Sequence, residues 1–131
     1  MLDSELHKLL AAYDAAPVEC DGFTRLAHTA LTNAGVQHTC MLGRLVSADG
    51  QRRTPVHLWI ELPDGRLIDY RARIWLGDAD SVPHGIFDRA GYSEWTYSGD
   101  IIDLPILHPL LANILMQSIP LNHLRGGQAL G

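Results

Sequence analysis

Leu2, Leu6, Leu9, Leu10 and Tyr13 recur at the spacing that lines one face of an α-helix, and Pro17 marks where such a helix must stop. The same period returns in CDGFTRLAHTALTNAG. There Phe23, Leu26, Ala27, Ala30, Leu31 and Ala34 share a face, and Gly35 offers a C-terminal cap. Cys20 continues that inward stripe from the helix start. Beyond Gly35 the pattern shifts to that of strands. VQHTCMLGRLVSADGQ predicts a strand over residues 36–47, closed by an Asp49-Gly50 turn. A second strand is expected over 54–62 and a third over 66–71, with Pro63, Asp64 and Gly65 between them. Past Trp75 the chain is rich in Gly, Pro, Asp and Ser, and predicts irregular surface chain with one short strand near 95–97.

The last quarter reads differently, because from Ile101 to Leu124 only Asp103 carries a formal charge. Pro109 starts a predicted apolar helix running to about Ser118, and Pro120 ends it. Pro105, Pro109 and Pro120 divide this run into pieces shorter than the roughly 20 residues that a bilayer crossing needs. No membrane span is therefore expected. A buried helix, or a homo-oligomer surface through residues 101–124, is expected instead.

Loop chemistry sets the register of the central hairpin. In Leu62-Pro63-Asp64-Gly65-Arg66, Pro suits the first turn position and Gly the left-handed one, so Leu62 pairs with Arg66. Counting back sets Ile60 opposite Ile68, Trp59 opposite Asp69 and His57 opposite Arg71. Alternation then places His57, Trp59, Glu61, Leu67, Asp69 and Arg71 on one face. Val56, Leu58, Ile60, Leu62, Ile68 and Tyr70 take the other, which reads as the face against the main core. His57 and Asp69 become diagonal neighbours within hydrogen-bonding reach. A two-residue turn would send Asp69 to the far side of the sheet.

Composition changes this picture little. With 131 residues, 47% hydrophobic and 19% charged, the chain has the balance of one globular domain over 1–131. A net charge of −5 with a single lysine, Lys8, leaves no basic stripe for a phosphate backbone, so no nucleic acid is expected as a partner. The start of the chain lacks the apolar core of a secretory signal, and a cytoplasmic location is the expectation. Cys20 and Cys40 form no CxxC pair and read as free thiols. His38 and Cys40 stand at i and i+2 on one strand, yet no second ligand pair follows at a metal-binding spacing.

The candidate chemistry lies in a thiol at a helix start, an imidazole, and a carboxylate that orients it. A helix N-terminus and a nearby imidazolium both favour the ionised form of a thiol. His57 would move the proton, Asp69 would fix its tautomer, and N–H groups at the helix start, Cys20's included, would hold an oxyanion. Glu19 and Asp21 flank Cys20 and oppose thiolate formation, and Arg25 offsets part of that charge.

VECDGFTRLAHTALTNAGVQHTCMLGRLV followed by HLWIELPDGRLIDY resembles the transglutaminase-like, papain-like cysteine superfamily, over about residues 17–71. The first segment is similar to that superfamily's cysteine helix and first core strand, the second to its His-x-Trp-x-Glu strand and aspartate strand. The resemblance implies an α+β fold with a papain/transglutaminase-like core, N-terminal helices on a small antiparallel sheet, and here an apolar C-terminal helix. It implies a catalytic triad of Cys20 as thiol nucleophile, His57 as base and Asp69 as orienting acid, with Trp59 and Glu61 in supporting positions. No cofactor and no metal is implied. The expected activity is acyl transfer on an amide, peptide or protein substrate through a Cys20 thioester. A hydrolase is preferred to amine transfer because a small chain leaves little room for a second substrate. The alternative is an inactive binding module that keeps the fold and uses the apolar C-terminal segment as a partner or dimer surface, a reading the acidic flanks of Cys20 favour.

Overall fold

The structure is a computed structural model and describes residues 2–117. Two helices, α1 (Asp3–Asp14) and α2 (Cys20–Asn33), precede strand β1 (Thr39–Ser47), and the hairpin strands β2 (His57–Glu61) and β3 (Leu67–Asp69) follow. A short helix α3 (Ala72–Leu76), strand β4 (Gly85–Phe87), strand β5 (Trp95–Ile101) and helix α4 (Pro109–Met116) complete the described chain. The five strands form one antiparallel sheet in the order β4-β3-β2-β1-β5. The molecule is α+β, and among the described residues no helix is long and apolar enough to cross a membrane.

Helix α2 ends where its glycine allows. Gly35 takes φ +73°, and Val36 donates its N–H to the Leu31 carbonyl at 2.9 Å. That bond commits Val36 to the helix cap, and β1 starts at Thr39 rather than at the expected residue 36. Phe23, Leu26, Ala27 and Leu31 are buried as the stripe predicts, whereas Ala34 at the frayed end is exposed.

The hairpin adopts the register that its loop dictates. Ile60 pairs with Ile68 and Glu61 with Leu67, and Leu62 donates to the Arg66 carbonyl at 2.8 Å. Gly65 sits at φ +94°, the left-handed residue that the three-residue loop requires. Ile60, Leu62, Ile68 and Tyr70 pack with α1 and α2. Trp59 and Leu67 on the opposite face pack with Met41, Leu45, Trp95 and Tyr97, so the sheet is covered on both sides. Val56 corrects the expected core face: β2 begins only at His57, and Val56 is 56% exposed.

Two further expectations need correction. The stretch after Trp75 is more regular than its composition suggests, since α3, β4 and the seven-residue β5 lie largely within or beside it. β5 pairs with β1 along its whole length. That pairing needs a close approach at Gly43 and Gly99, because a Cβ on Gly43 would stand 2.1 Å from the Ser98 carbonyl oxygen. Finally, α4 is apolar as expected but not buried. None of its residues is buried, and Leu110, Leu111 and Ile114 are 65%, 46% and 48% exposed. It rests only on a small cluster of Ala16, Leu26 and Leu107. Residues 118–124 of the expected oligomer segment lie outside the described residues.

Candidate active site

Cys20 is the first residue of α2, half-buried and free. Phe23 takes the first helical bond, to the Glu19 carbonyl at 2.8 Å, so the N–H groups of Cys20, Asp21 and Gly22 precede the helical ladder. These N–H groups carry the positive end of the helix dipole. Arg25 reaches back to Asp21 at 2.7 Å and neutralises one of the two acids that flank the thiol. Gly22 is required by crowding here, for a Cβ would stand 2.6 Å from that of Val18.

His57 opens β2, pairs across the ladder with Gly43, and is fully buried. Its Nε2 lies 2.7 Å from Asp69 Oδ2, the diagonal contact that the hairpin register sets up. With Nε2 engaged, Nδ1 is the nitrogen left for a second partner. It is buried and makes no hydrogen bond. Cys20 is near enough to act on the imidazole. The geometry leaves the thiol without a formed hydrogen bond to Nδ1, the loose arrangement common in unliganded catalytic pairs. Burial pushes the imidazole down, but the Asp69 carboxylate outweighs it by hydrogen bond and charge, with a smaller contribution from Cys20, and the His57 pKa is raised from 6.5 to about 10. At neutral pH the ring is an imidazolium between a carboxylate and a thiol.

Asp69 is held from every side. Oδ2 also accepts the Tyr97 hydroxyl at 2.8 Å, while Oδ1 accepts the N–H groups of Arg71 at 3.0 Å and Ala72 at 3.1 Å, where α3 begins. Four donors suit a buried carboxylate that must stay charged. Tyr97 was not expected at the site. Its ring is buried against Trp59, and burial, followed by the neighbouring carboxylate, pushes its hydroxyl pKa strongly up, so it acts as a donor and does not ionise. A signal existed in the alternation of Trp95 and Tyr97, but not in what that strand pairs with.

Trp59 stacks on the His57 ring, with centroids 6.3 Å apart, and its indole N–H reaches Glu61 at 3.3 Å. Glu61 is fixed in turn by Arg89 at 2.8 Å. Trp59 therefore walls the imidazole and Glu61 orients Trp59.

Arg71, expected opposite His57 at the end of the third strand, instead lies beyond β3 at the start of α3. Its buried guanidinium donates to the carbonyls of Asp14, Ala16 and Val18 at 2.9, 3.1 and 2.7 Å, and to the Asp14 carboxylate at 2.8 Å. It also lies over the Phe23 ring, 4.9 Å from the centroid. The connection between α1 and α2 is wrapped around this one side chain, which fixes the entry into Cys20. An open groove of about 600 Å³ runs beside that connection, lined among others by Val18, Glu19, Tyr70, Arg71 and His84. Its lining reaches Glu19, the residue before Cys20.

Among the described residues, one separate group brings His and Cys donor atoms close enough to hold a metal ion, namely His28, His38 and Cys40. The chain matches no family model, no curated protein and no solved structure.

Proposed function

We propose that this chain is a cysteine-dependent acyl-transfer enzyme with a papain/transglutaminase-like core, acting on an amide or peptide bond, with hydrolysis preferred to amine transfer. The observation that carries this reading is the His57 imidazole, buried and hydrogen-bonded to Asp69 on one nitrogen, with its other nitrogen unpartnered beside a helix-start thiol. A cysteine packed merely as a small hydrophobe does not need such a neighbour.

In the proposed reaction Cys20 reacts as the thiolate, its proton being the one held on His57 Nδ1: Sγ attacks the amide carbonyl carbon, and the carbonyl oxygen becomes an oxyanion facing the first N–H groups of α2. The proton held on His57 Nδ1 passes to the amide nitrogen, the C–N bond breaks and the amine leaves. Cys20 is then a thioester and His57 is neutral. Water attacks the thioester, gives a proton to Nδ1, and the thiolate departs as the carboxylic acid forms. Asp69 keeps the ring oriented and stabilises the imidazolium throughout.

Iodoacetamide labelling tests the reading, with the modified cysteine identified by mass spectrometry. Cys20 should label faster than a free thiol at pH 6, and His57→Ala should remove the advantage. Labelling no faster than a free thiol, unchanged by His57→Ala, would end the catalytic reading.

One observation favours a second reading, a binding module without turnover. Leu110, Leu111 and Ile114 present an apolar surface on α4 that a partner or a second copy would cover. Light scattering on the purified chain separates monomer from dimer, and a monomer at all concentrations removes the homo-oligomer form of this reading.

A further inference from the structure

His28 in α2, His38 immediately before β1 and Cys40 within β1 each place one nitrogen or sulfur within 4.8 Å of the others. The outer nitrogen of each ring is already committed. His28 Nε2 lies 2.8 Å from the Leu104 carbonyl oxygen, and His38 Nδ1 lies 2.8 Å from the Val36 carbonyl oxygen. A carbonyl oxygen only accepts, so each of these nitrogens carries its ring's hydrogen. A neutral imidazole has one N–H. The inner nitrogens, His28 Nδ1 and His38 Nε2, therefore face each other with lone pairs at 2.7 Å. Two lone pairs at that distance repel unless a cation lies between them.

The cation is either a third proton or a metal ion, and the surroundings favour the metal. A ring whose outer N–H is fixed on a backbone carbonyl and whose inner lone pair converges on others is the orientation of a metal-ligating histidine. Cys40 adds the sulfur, giving a mixed nitrogen and thiolate set. Asp103, next to Leu104, acts electrostatically on both His28 and Cys40 and contributes negative charge nearby. We propose that His28 Nδ1, His38 Nε2 and Cys40 Sγ form a site for a borderline-soft divalent metal ion, with zinc the best fit and a fourth position open to water.

Binding forms two metal–nitrogen bonds and one metal–sulfur bond and releases one proton, from the Cys40 thiol. The nitrogens move apart by about 0.6 Å to accept tetrahedral bonds of about 2.0–2.1 Å, with the sulfur at about 2.3 Å. The ion ties α2 to β1 and, through the Leu104 carbonyl, to the chain after β5. It stands apart from Cys20 and His57, since the β1 partner of His57 is Gly43, three residues beyond Cys40. Its role is to staple the start of β1, inside the sheet, to α2, and it is independent of the acyl-transfer reading.

Cobalt(II) is the probe, added to the full chain carrying Cys20→Ser so that only Cys40 can supply a thiolate. The expected result is saturable binding of one ion per chain, with a near-ultraviolet thiolate-to-cobalt charge-transfer band that one equivalent of zinc displaces. Cys40→Ser should abolish the band, and His28→Gln should weaken binding at least tenfold. Absence of saturable binding would overturn the proposal and leave a shared proton between the imidazoles. A band that survives Cys40→Ser would overturn it as well. Should these variants fail to fold, X-ray absorption on the zinc-loaded Cys20→Ser chain decides: one sulfur and two imidazole nitrogens support the site, and a sulfur-free shell refutes it.

Discussion

Asp69→Asn separates the charge of the carboxylate from its shape. Asn retains an oxygen for the N–H groups of Arg71 and Ala72, but its amide N–H₂ then faces His57 Nε2 and the Tyr97 hydroxyl. Tyr97 can turn its hydroxyl and accept. His57 can accept only by moving its hydrogen to Nδ1, the nitrogen on which the proposed chemistry depends. With the carboxylate charge gone, burial is opposed only by the smaller contribution from Cys20, and the pKa falls from about 10 back toward the ordinary 6.5. At about 1.36 kcal/mol per pH unit, this corresponds to on the order of 5 kcal/mol of preference for the imidazolium. The folded value lies above the unfolded one, so the stabilisation is complete below about pH 6.5 and is lost as the pH rises toward 10. Urea denaturation should therefore show a wild-type advantage over Asp69→Asn that is several kcal/mol larger at pH 6 than at pH 9.5. Iodoacetamide kinetics should diverge in the same direction. At pH 7.5 the wild-type ring is still an imidazolium, whereas a ring near its ordinary 6.5 is mostly neutral, so the variant loses the charge that favours a thiolate and should label several-fold more slowly there. Equal labelling profiles, or a stability difference that does not change with pH, would refute the charge argument.

Tyr97→Phe removes one donor to a charged oxygen and should lower stability by about 1.5–3 kcal/mol in urea while leaving His57 bonded to Asp69; an imidazole NMR titration reads the latter. Arg71→Lys keeps the charge but cannot serve three carbonyls and a carboxylate from one plane. It should lower stability by roughly 3–5 kcal/mol and reduce Cys20 labelling, with circular dichroism confirming that the fold persists. Gly43→Ala sets a methyl group against the Ser98 carbonyl and should prevent β1 from pairing with β5, which hydrogen exchange along both strands would report.

How far the sequence carried the fold can be judged from particular residues. The pairing of His57 with Asp69 was legible because Pro63, Asp64 and Gly65 fix a local loop, and alternation carries the register outward from it. The helix stripes were legible for the same reason, since their period is local. Tyr97 and β5 were not, because only two of the seven residues of β5 are buried and its partner, β1, lies about 50 residues away. His28 stayed hidden as a neighbour of Cys40 because spacing along a helix says nothing of which strand that helix crosses. Val56 misled through the reverse effect: alternation continues past the point where the ladder ends.

Arg71 joins two demands in one residue, its amide holding Asp69 and its guanidinium holding the carbonyls ahead of Cys20. On a ribosome, where the chain emerges from its N-terminus, Cys20 appears some 50 residues before the side chain that sets its position. Tyr97 arrives later still. Under the proposed function, a nascent chain exposes an unremarkable thiol, and its reactivity would wait until Arg71, Tyr97 and the strands around them have folded.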